Sequence, residues 1–343
     1  MRIAVDAMGG DYAPEEIVPA ALMARERLDV EICLVGDEAR LKELAGYGPE
    51  GSVGVTVRHC SGLIGMDESP RAALQRGRNS SVATCIEMVK QGEAQAVVSA
   101  GNSGAFVALA TTRLRNIADI SRPAIAVFIP TRIGKAILLD AGANADCRPE
   151  HLLQFATMGS CYAEHVLGLQ EPRVAILNIG EEAGKGNVLV QTTYPLLAQA
   201  PINFVGHIEG NAIFDGDVDV VVADGFVGNV VLKVLEGTFQ SMLDIFHSQI
   251  RHSKLVRLGA LLMKPAFRHL QTRYNWAEYG GALLLGVNGV CVVSHGRSDR
   301  HAICKAIEVA AEAVEHDIIE QMRRSVRQLG EVQSPAQALS ESQ

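Results

Sequence analysis

Short β-branched runs alternate with longer amphipathic stretches through the first half of the chain. The runs at 3–6, 32–35, 55–58, 97–99, 125–129 and 137–140 are three to five residues rich in Val, Ile, Leu and Ala, and predict strands of a sheet covered on both faces. Helical patterns over 14–28, 80–90 and 103–115 lie between several of them. Pro14 opens the first, with Glu15 and Glu16 in its first turn, where the N-terminal dipole favours them. This alternation predicts an α/β protein: a three-layer α/β/α sandwich with a mostly parallel central sheet.

The second half continues the pattern with strands expected at 174–179 and 218–222, a late pair at 283–286 and 290–294, and one long amphipathic helix over 300–328. After Gly330 the chain turns polar, and 331–343 reads as a frayed tail. No linker or repeat divides 1–330, which reads as one catalytic domain. Residues 239–275 break the rhythm with helical sequence that bends near Lys264-Pro265. From Arg251 to Arg273 there are six Lys/Arg residues and no Asp or Glu. This segment reads as an inserted helical arm. Its charges at Arg251, Lys254, Arg257, Lys264 and Arg268 are interleaved with Leu258, Leu261, Leu262, Met263 and Phe267, a mixture suited to a carrier protein, a membrane surface or a second subunit.

Composition narrows the function. The formal net charge of −8 disfavours nucleic-acid binding. Seven cysteines, with no Cys-x-x-Cys pair, fit a reducing cytoplasm better than a disulfide or zinc scaffold. The N-terminus runs directly into strand-like sequence, so no signal peptide is expected. The uncharged stretch 94–112 is interrupted by a polar glycine turn and reads as strand, turn and helix, not as a membrane span.

Five strand-end turns combine glycine with Asp, Asn, Ser or Lys: Asp6-Ala-Met-Gly-Gly-Asp11, Ser99-Ala-Gly-Asn-Ser-Gly104, Asp140-Ala-Gly-Ala-Asn144, Asn178-Ile-Gly-Glu-Glu-Ala-Gly-Lys-Gly186 and Asp224-Gly-Phe-Val-Gly-Asn229. In open α/β sheets ligands bind beyond the carboxyl ends of strands. Glycine also lets backbone N–H groups approach an anion closely. In a parallel sheet several of these turns would face one crevice. The best anion cradle is Ser99, Gly101, Asn102, Ser103 and Gly104, ahead of a helix expected to start near Ser103; Asn144 and Gly186 are further candidates. Lys185 is the lysine within these turns, free to reach a phosphate or an oxyanion. The carboxylates Asp6, Asp11, Asp140 and Asp224 are expected mainly to support the site by binding backbone N–H groups or basic side chains. The Lys185 loop is not a Walker A, no dinucleotide fingerprint follows the first strand, and no nucleophile elbow or metal-ligand spacing occurs. The reading therefore calls for no metal and no cofactor.

These turns, together with Glu278-Tyr-Gly-Gly-Ala282, resemble the acyl-ACP:phosphate acyltransferases of the PlsX type. The likeness runs in order from Met1 to about Gln328, with Ser103 where that family usually has Thr. The resemblance implies a fold similar to phosphate acetyltransferases and isocitrate-type dehydrogenases. It implies a homodimer with the arm at or near the interface. It also implies a cytoplasmic enzyme, peripherally associated with the inner face of the membrane, that takes a fatty acyl group from acyl carrier protein to inorganic phosphate. The acyl phosphate would feed a membrane glycerol-3-phosphate acyltransferase in phospholipid synthesis, and Lys185 and Asn229 would be the catalytic pair. Three readings compete: a coenzyme A-dependent phosphate acetyl- or butyryltransferase, a nicotinamide-dependent dehydrogenase, and a non-catalytic membrane-associated scaffold.

Overall fold

The computed structural model describes residues 1–46, 54–182, 184–251, 259–265 and 280–340. One sheet of 11 strands runs through them, in the spatial order β3-β2-β1-β4-β11-β10-β5-β6-β9-β7-β8. The strands are β1 (Arg2–Asp6), β2 (Glu31–Gly36), β3 (Val55–His59), β4 (Ala96–Ser99), β5 (Ala124–Pro130), β6 (Lys135–Leu139), β7 (Val174–Asn178), β8 (Phe204–Glu209), β9 (Val220–Val222), β10 (Ala282–Leu285) and β11 (Val290–Val293). The helices include α1 (Ile17–Arg27), α2 (Glu38–Leu44), α3 (Pro70–Arg76), α4 (Ser81–Lys90), α5 (Ser103–Leu114), α6 (Pro149–Leu167), α7 (Val188–Ala198), α8 (Gly225–Arg251), α9 (Arg300–Glu315) and α10 (Ile318–Ser340).

Strand alternation sorts the core onto two faces. Ile3, Val5, Ile32 and Leu34 pack with α1, α6, α9 and α10 on one face of the sheet. Ala4, Cys33, Val35 and Val97 pack with α4 and α5 on the other, where Leu138, Val221 and residues of α8 extend the layer. The three-layer α/β sandwich expected from the sequence is what the chain forms.

Strand direction decides where the turns go. β10 is antiparallel to both β11 and β5, and β5 is antiparallel to β6. The other neighbours are parallel. Consequently β1, β4 and β11 point one way, while β6, β9 and β7 point the other. The five turns do not share one sheet edge: two follow β1 and β4, and three follow β6, β7 and β9.

Four boundaries differ from the sequence reading. Helix α1 begins at Ile17 and not at Pro14, so Glu15 and Glu16 precede it instead of filling its first turn. The helix expected over 300–328 is two helices, because Asp317 adopts a left-handed conformation (φ 47°) that an α-helix does not continue through. The expected frayed tail is helical to Ser340, the end of α10. The arm does not begin near 239: α8 is one helix of 27 residues, about 40 Å long, already under way at Gly225. Leu261, Leu262 and Met263 are exposed, Leu262 by 77%. Lys254, Arg257, Leu258, Phe267, Arg268 and Arg273 lie outside the described residues, as do Glu278 and Tyr279.

Candidate active site

The first group of turns is built on a buried carboxylate. Asp6, at the end of β1, accepts a 2.6 Å hydrogen bond from Ser99 Oγ and one from the Met8 N–H. Ser99 Oγ in turn accepts from the Gly101 N–H at 3.1 Å. Burial raises the Asp6 pKa above the ordinary carboxylate range, against the pull of hydrogen bonds from Ser81 and Ser99. Ser99 is itself buried, so its hydroxyl shapes the turn. Gly9 lies on Asp6 and the Gly101 N–H with no room for a Cβ, which explains the glycine there.

Asn102 caps α5 by accepting from the Ala105 N–H. Its Nδ2 is directed at the Gly65, Met66 and Glu68 carbonyls, clamping the loop before residue 70 over the turn. Ser103 and Gly104, the first two residues of α5, are exposed. The first N–H groups of a helix have no partner within it, so this end is electropositive and open. Asp11 is exposed beside it, its backbone N–H donating to the Gly296 carbonyl.

The second group centres on Asp140, which is fully buried. Its Oδ1 accepts from the Ile125, Gly142 and Ala143 N–H groups, and its Oδ2 from the Asn144 N–H and Nδ2. Burial raises its pKa and these donors oppose the rise. Asp224 caps α8 through the Val227 N–H. The stretch after Asp224, expected as a glycine turn, is instead the first turn of that helix. Its glycines serve close packing: a Cβ on Gly225 would meet Asn144 and Asp140, and one on Gly228 would strike the Asp140 carbonyl. Asn229 therefore sits on a helix, its amide packed on Gly142.

Lys185 is exposed in the loop after β7, its stem lying over Gly180. Gly186 takes φ +97° with its Cα against Asn178 Oδ1, a place for glycine on both counts. Because β9 separates β6 from β7, the turns carrying Lys185 and Asn229 open at one sheet edge. Ser99–Gly104 stands at the other. Helix α8 spans the interval: Asn229 is at its start, and Lys233, one turn later, acts electrostatically on His295 just past β11, as does Asp11.

The sequence reading passed over Arg122 and Arg148, which flank the second group. Arg122 acts on Cys147 and, with Arg148, on His151. Neither lies in a glycine turn, so no local signal marked them. Six of the thiols are poor nucleophiles. Burial raises Cys33, Cys85, Cys291 and Cys304, and pushes Cys147 and Cys161 up to about 11. Among the described residues no group of three or more His, Cys, Asp or Glu could hold a metal. No helix among them is long and apolar enough to cross a membrane.

Solved structures share this fold. A phosphotransacetylase from Streptococcus pyogenes superposes with a TM-score of 0.60 at 17% identity, over 92% of this chain and 94% of that one. A branched-chain phosphotransacylase from Enterococcus faecalis gives 0.57 at 15%, over 92% and 99%. Sequence relatives are nearer. A phosphate acyltransferase of Desulfitobacterium hafniense (strain DSM 10664 / DCB-2) is 50% identical over 329 residues, 95% of this chain and 98% of that one. One from Pelotomaculum thermopropionicum is 47% identical over 329 residues, 96% of each chain. The family model described as fatty acid synthesis protein matches residues 1–321. The chain thus belongs to the fatty acid synthesis protein family, the PlsX-type phosphate acyltransferases, and is an acyltransferase.

Proposed function

We propose that the chain moves a long-chain fatty acyl group from an acyl carrier protein thioester to inorganic phosphate, by direct attack. A phosphate oxygen forms a bond to the thioester carbonyl carbon. The tetrahedral oxyanion collapses, the C–S bond breaks, and the carrier leaves as a thiol once its sulfur takes a proton. Acyl phosphate is the product, supplied to a membrane glycerol-3-phosphate acyltransferase for phospholipid synthesis.

The observation that carries this reading is the shared sheet edge of Lys185 and Asn229. Anionic phosphate must approach a carbonyl that becomes an oxyanion, so a cation and an amide donor lower the barrier where charge develops. The exposed N-terminus of α5, with Ser103 and Gly104, is a second place for phosphate oxygens, and Asn144 and Gly186 border the first. Asp6, Asp140 and Asp224 support these loops through the bonds described above.

The arm takes the remaining roles. Exposed Leu261, Leu262 and Met263, within a basic stretch, suit an anionic membrane surface or an acidic carrier protein. Its length also suits a contact between two copies of the chain in a homodimer, in a cytoplasmic enzyme that visits the membrane peripherally.

Three arms of one assay test the proposal: phosphate with long-chain acyl carrier thioester, with long-chain acyl-CoA, and with acetyl-CoA. Carrier thioester giving hydroxylamine-trappable acyl phosphate is expected. Product from acetyl-CoA alone would favour a coenzyme A-dependent phosphate acetyltransferase. Lys185→Ala and Asn229→Ala should each lose about a hundredfold in turnover, the usual effect of removing one oxyanion donor; full activity in either purified variant removes its assignment.

A further inference from the structure

Three consecutive carbonyls carry Lys185, and two amide side chains hold them. Asn178, the last residue of β7, is buried. Its Oδ1 accepts from the Ile179 N–H at 2.8 Å. Its Nδ2 donates to the Gly180 carbonyl at 3.0 Å, where the loop leaves the strand, and to the Lys185 carbonyl at 3.3 Å, where the loop returns. From the other side Gln191, in the first turns of α7, donates through Nε2 to the Gly184 carbonyl at 2.7 Å and the Gly186 carbonyl at 3.1 Å. Gly186 closes on Asn178 with no space for a Cβ.

We infer that Asn178 and Gln191 are positioning residues that fix the origin of the Lys185 side chain for the transfer step. The inference rests on the reading of Lys185 as the catalytic cation. Glycine on either side of Lys185 leaves the backbone there few restraints of its own. A flexible loop would present the ammonium from many starting points. The two amides replace that freedom with four hydrogen bonds to loop carbonyls, spread over both ends of the loop. Neither amide needs to touch substrate: both act through the backbone of Lys185.

Asn178→Asp keeps the shape but replaces both donors with an oxygen facing the Gly180 and Lys185 carbonyls. Gln191→Ala removes the outer brace on an exposed helix surface, where folding is not at risk. Misplacing a catalytic group by about 1 Å costs roughly a hundredfold. Asn178→Asp is therefore expected to lower kcat about a hundredfold and Gln191→Ala about tenfold, with the KM for phosphate within about threefold of the parent in both, as for an interaction realised in the transition state. In a Lys185→Ala background each should cost less than about twofold, because the group being positioned is gone. Turnover of the parent in both single variants, or the same fold-loss with and without Lys185, overturns the positioning role. Full turnover of Lys185→Ala alone overturns the reading of Lys185 itself, so the two failures are distinguishable.

Discussion

Removing the Asp140 carboxylate should unravel the turn on which Asn229 rests. The side chain takes five hydrogen bonds, three at Oδ1 and two at Oδ2, from donors in β5 and in the turn itself. Asp140→Ala strands the four backbone donors, while Asn144 Nδ2 keeps its bond to the Pro123 carbonyl. The turn's N–H groups are near enough to solvent for water to replace part of the loss. The Ile125 N–H, inside the sheet, is not. A buried donor left unsatisfied costs about 1–3 kcal/mol, and removing one side of a buried charged network costs about 3–5 kcal/mol. The expected destabilisation is about 4 kcal/mol. Asp140→Asn keeps one oxygen for the three donors at Oδ1 but turns an amide NH2 toward the Asn144 N–H and Nδ2, so about 2–3 kcal/mol is expected. Urea unfolding followed by circular dichroism measures both, and unchanged slopes establish that the unfolding transition is comparable. A loss under about 1 kcal/mol for Asp140→Ala would refute the idea that this carboxylate organises the turn.

Other perturbations follow from the same contacts. Gly228→Ala drives a Cβ into the Asp140 carbonyl; the start of α8 must shift, costing about 1–3 kcal/mol and lowering kcat through Asn229, which a melt and a turnover assay read together. His151 is buried near the start of α6, accepts from the Arg148 N–H at 3.2 Å, and has its pKa depressed by burial and by Arg148 and Arg122. The neutral ring is the folded form, so its contribution is present above about pH 6.5 and is lost as pH falls toward the folded pKa. His151→Gln, which keeps an acceptor for the cap, should flatten the stability profile below about pH 6.5. Glutamates at Leu262 and Met263 should abolish co-sedimentation with anionic liposomes while sparing activity on soluble carrier thioester; unchanged co-sedimentation would exclude that segment as the membrane contact.

The strands were legible because each is a short apolar run bounded by turn residues. The exception is β8, where Gly206 and His207 interrupt a half-exposed strand at the sheet's edge, and edge strands need no continuous apolar run. The long pattern over 300–328 looked continuous because α9 and α10 bury their apolar stripes against the same layer; the break at Asp317 leaves that stripe intact. The distribution of the turns was not legible. It depends on β10 and β5 running against their neighbours, and a strand's direction leaves no mark on its own residues. Likewise Gly225 and Gly228 look like turn glycines in sequence, whereas the requirement they meet is close approach of α8 to Asp140. Lys185 stood out by its glycine neighbours. Asn178 and Gln191, which hold it, are ordinary amides until the loop is folded between them.

Direct attack is tested most sharply by single-turnover thiol release with enzyme in excess over acyl carrier thioester. Without phosphate no thiol should appear, and adding phosphate should release one thiol per thioester with an equal yield of trapped acyl phosphate. A burst of thiol before phosphate is added, leaving acyl groups bound to the protein, would contradict it.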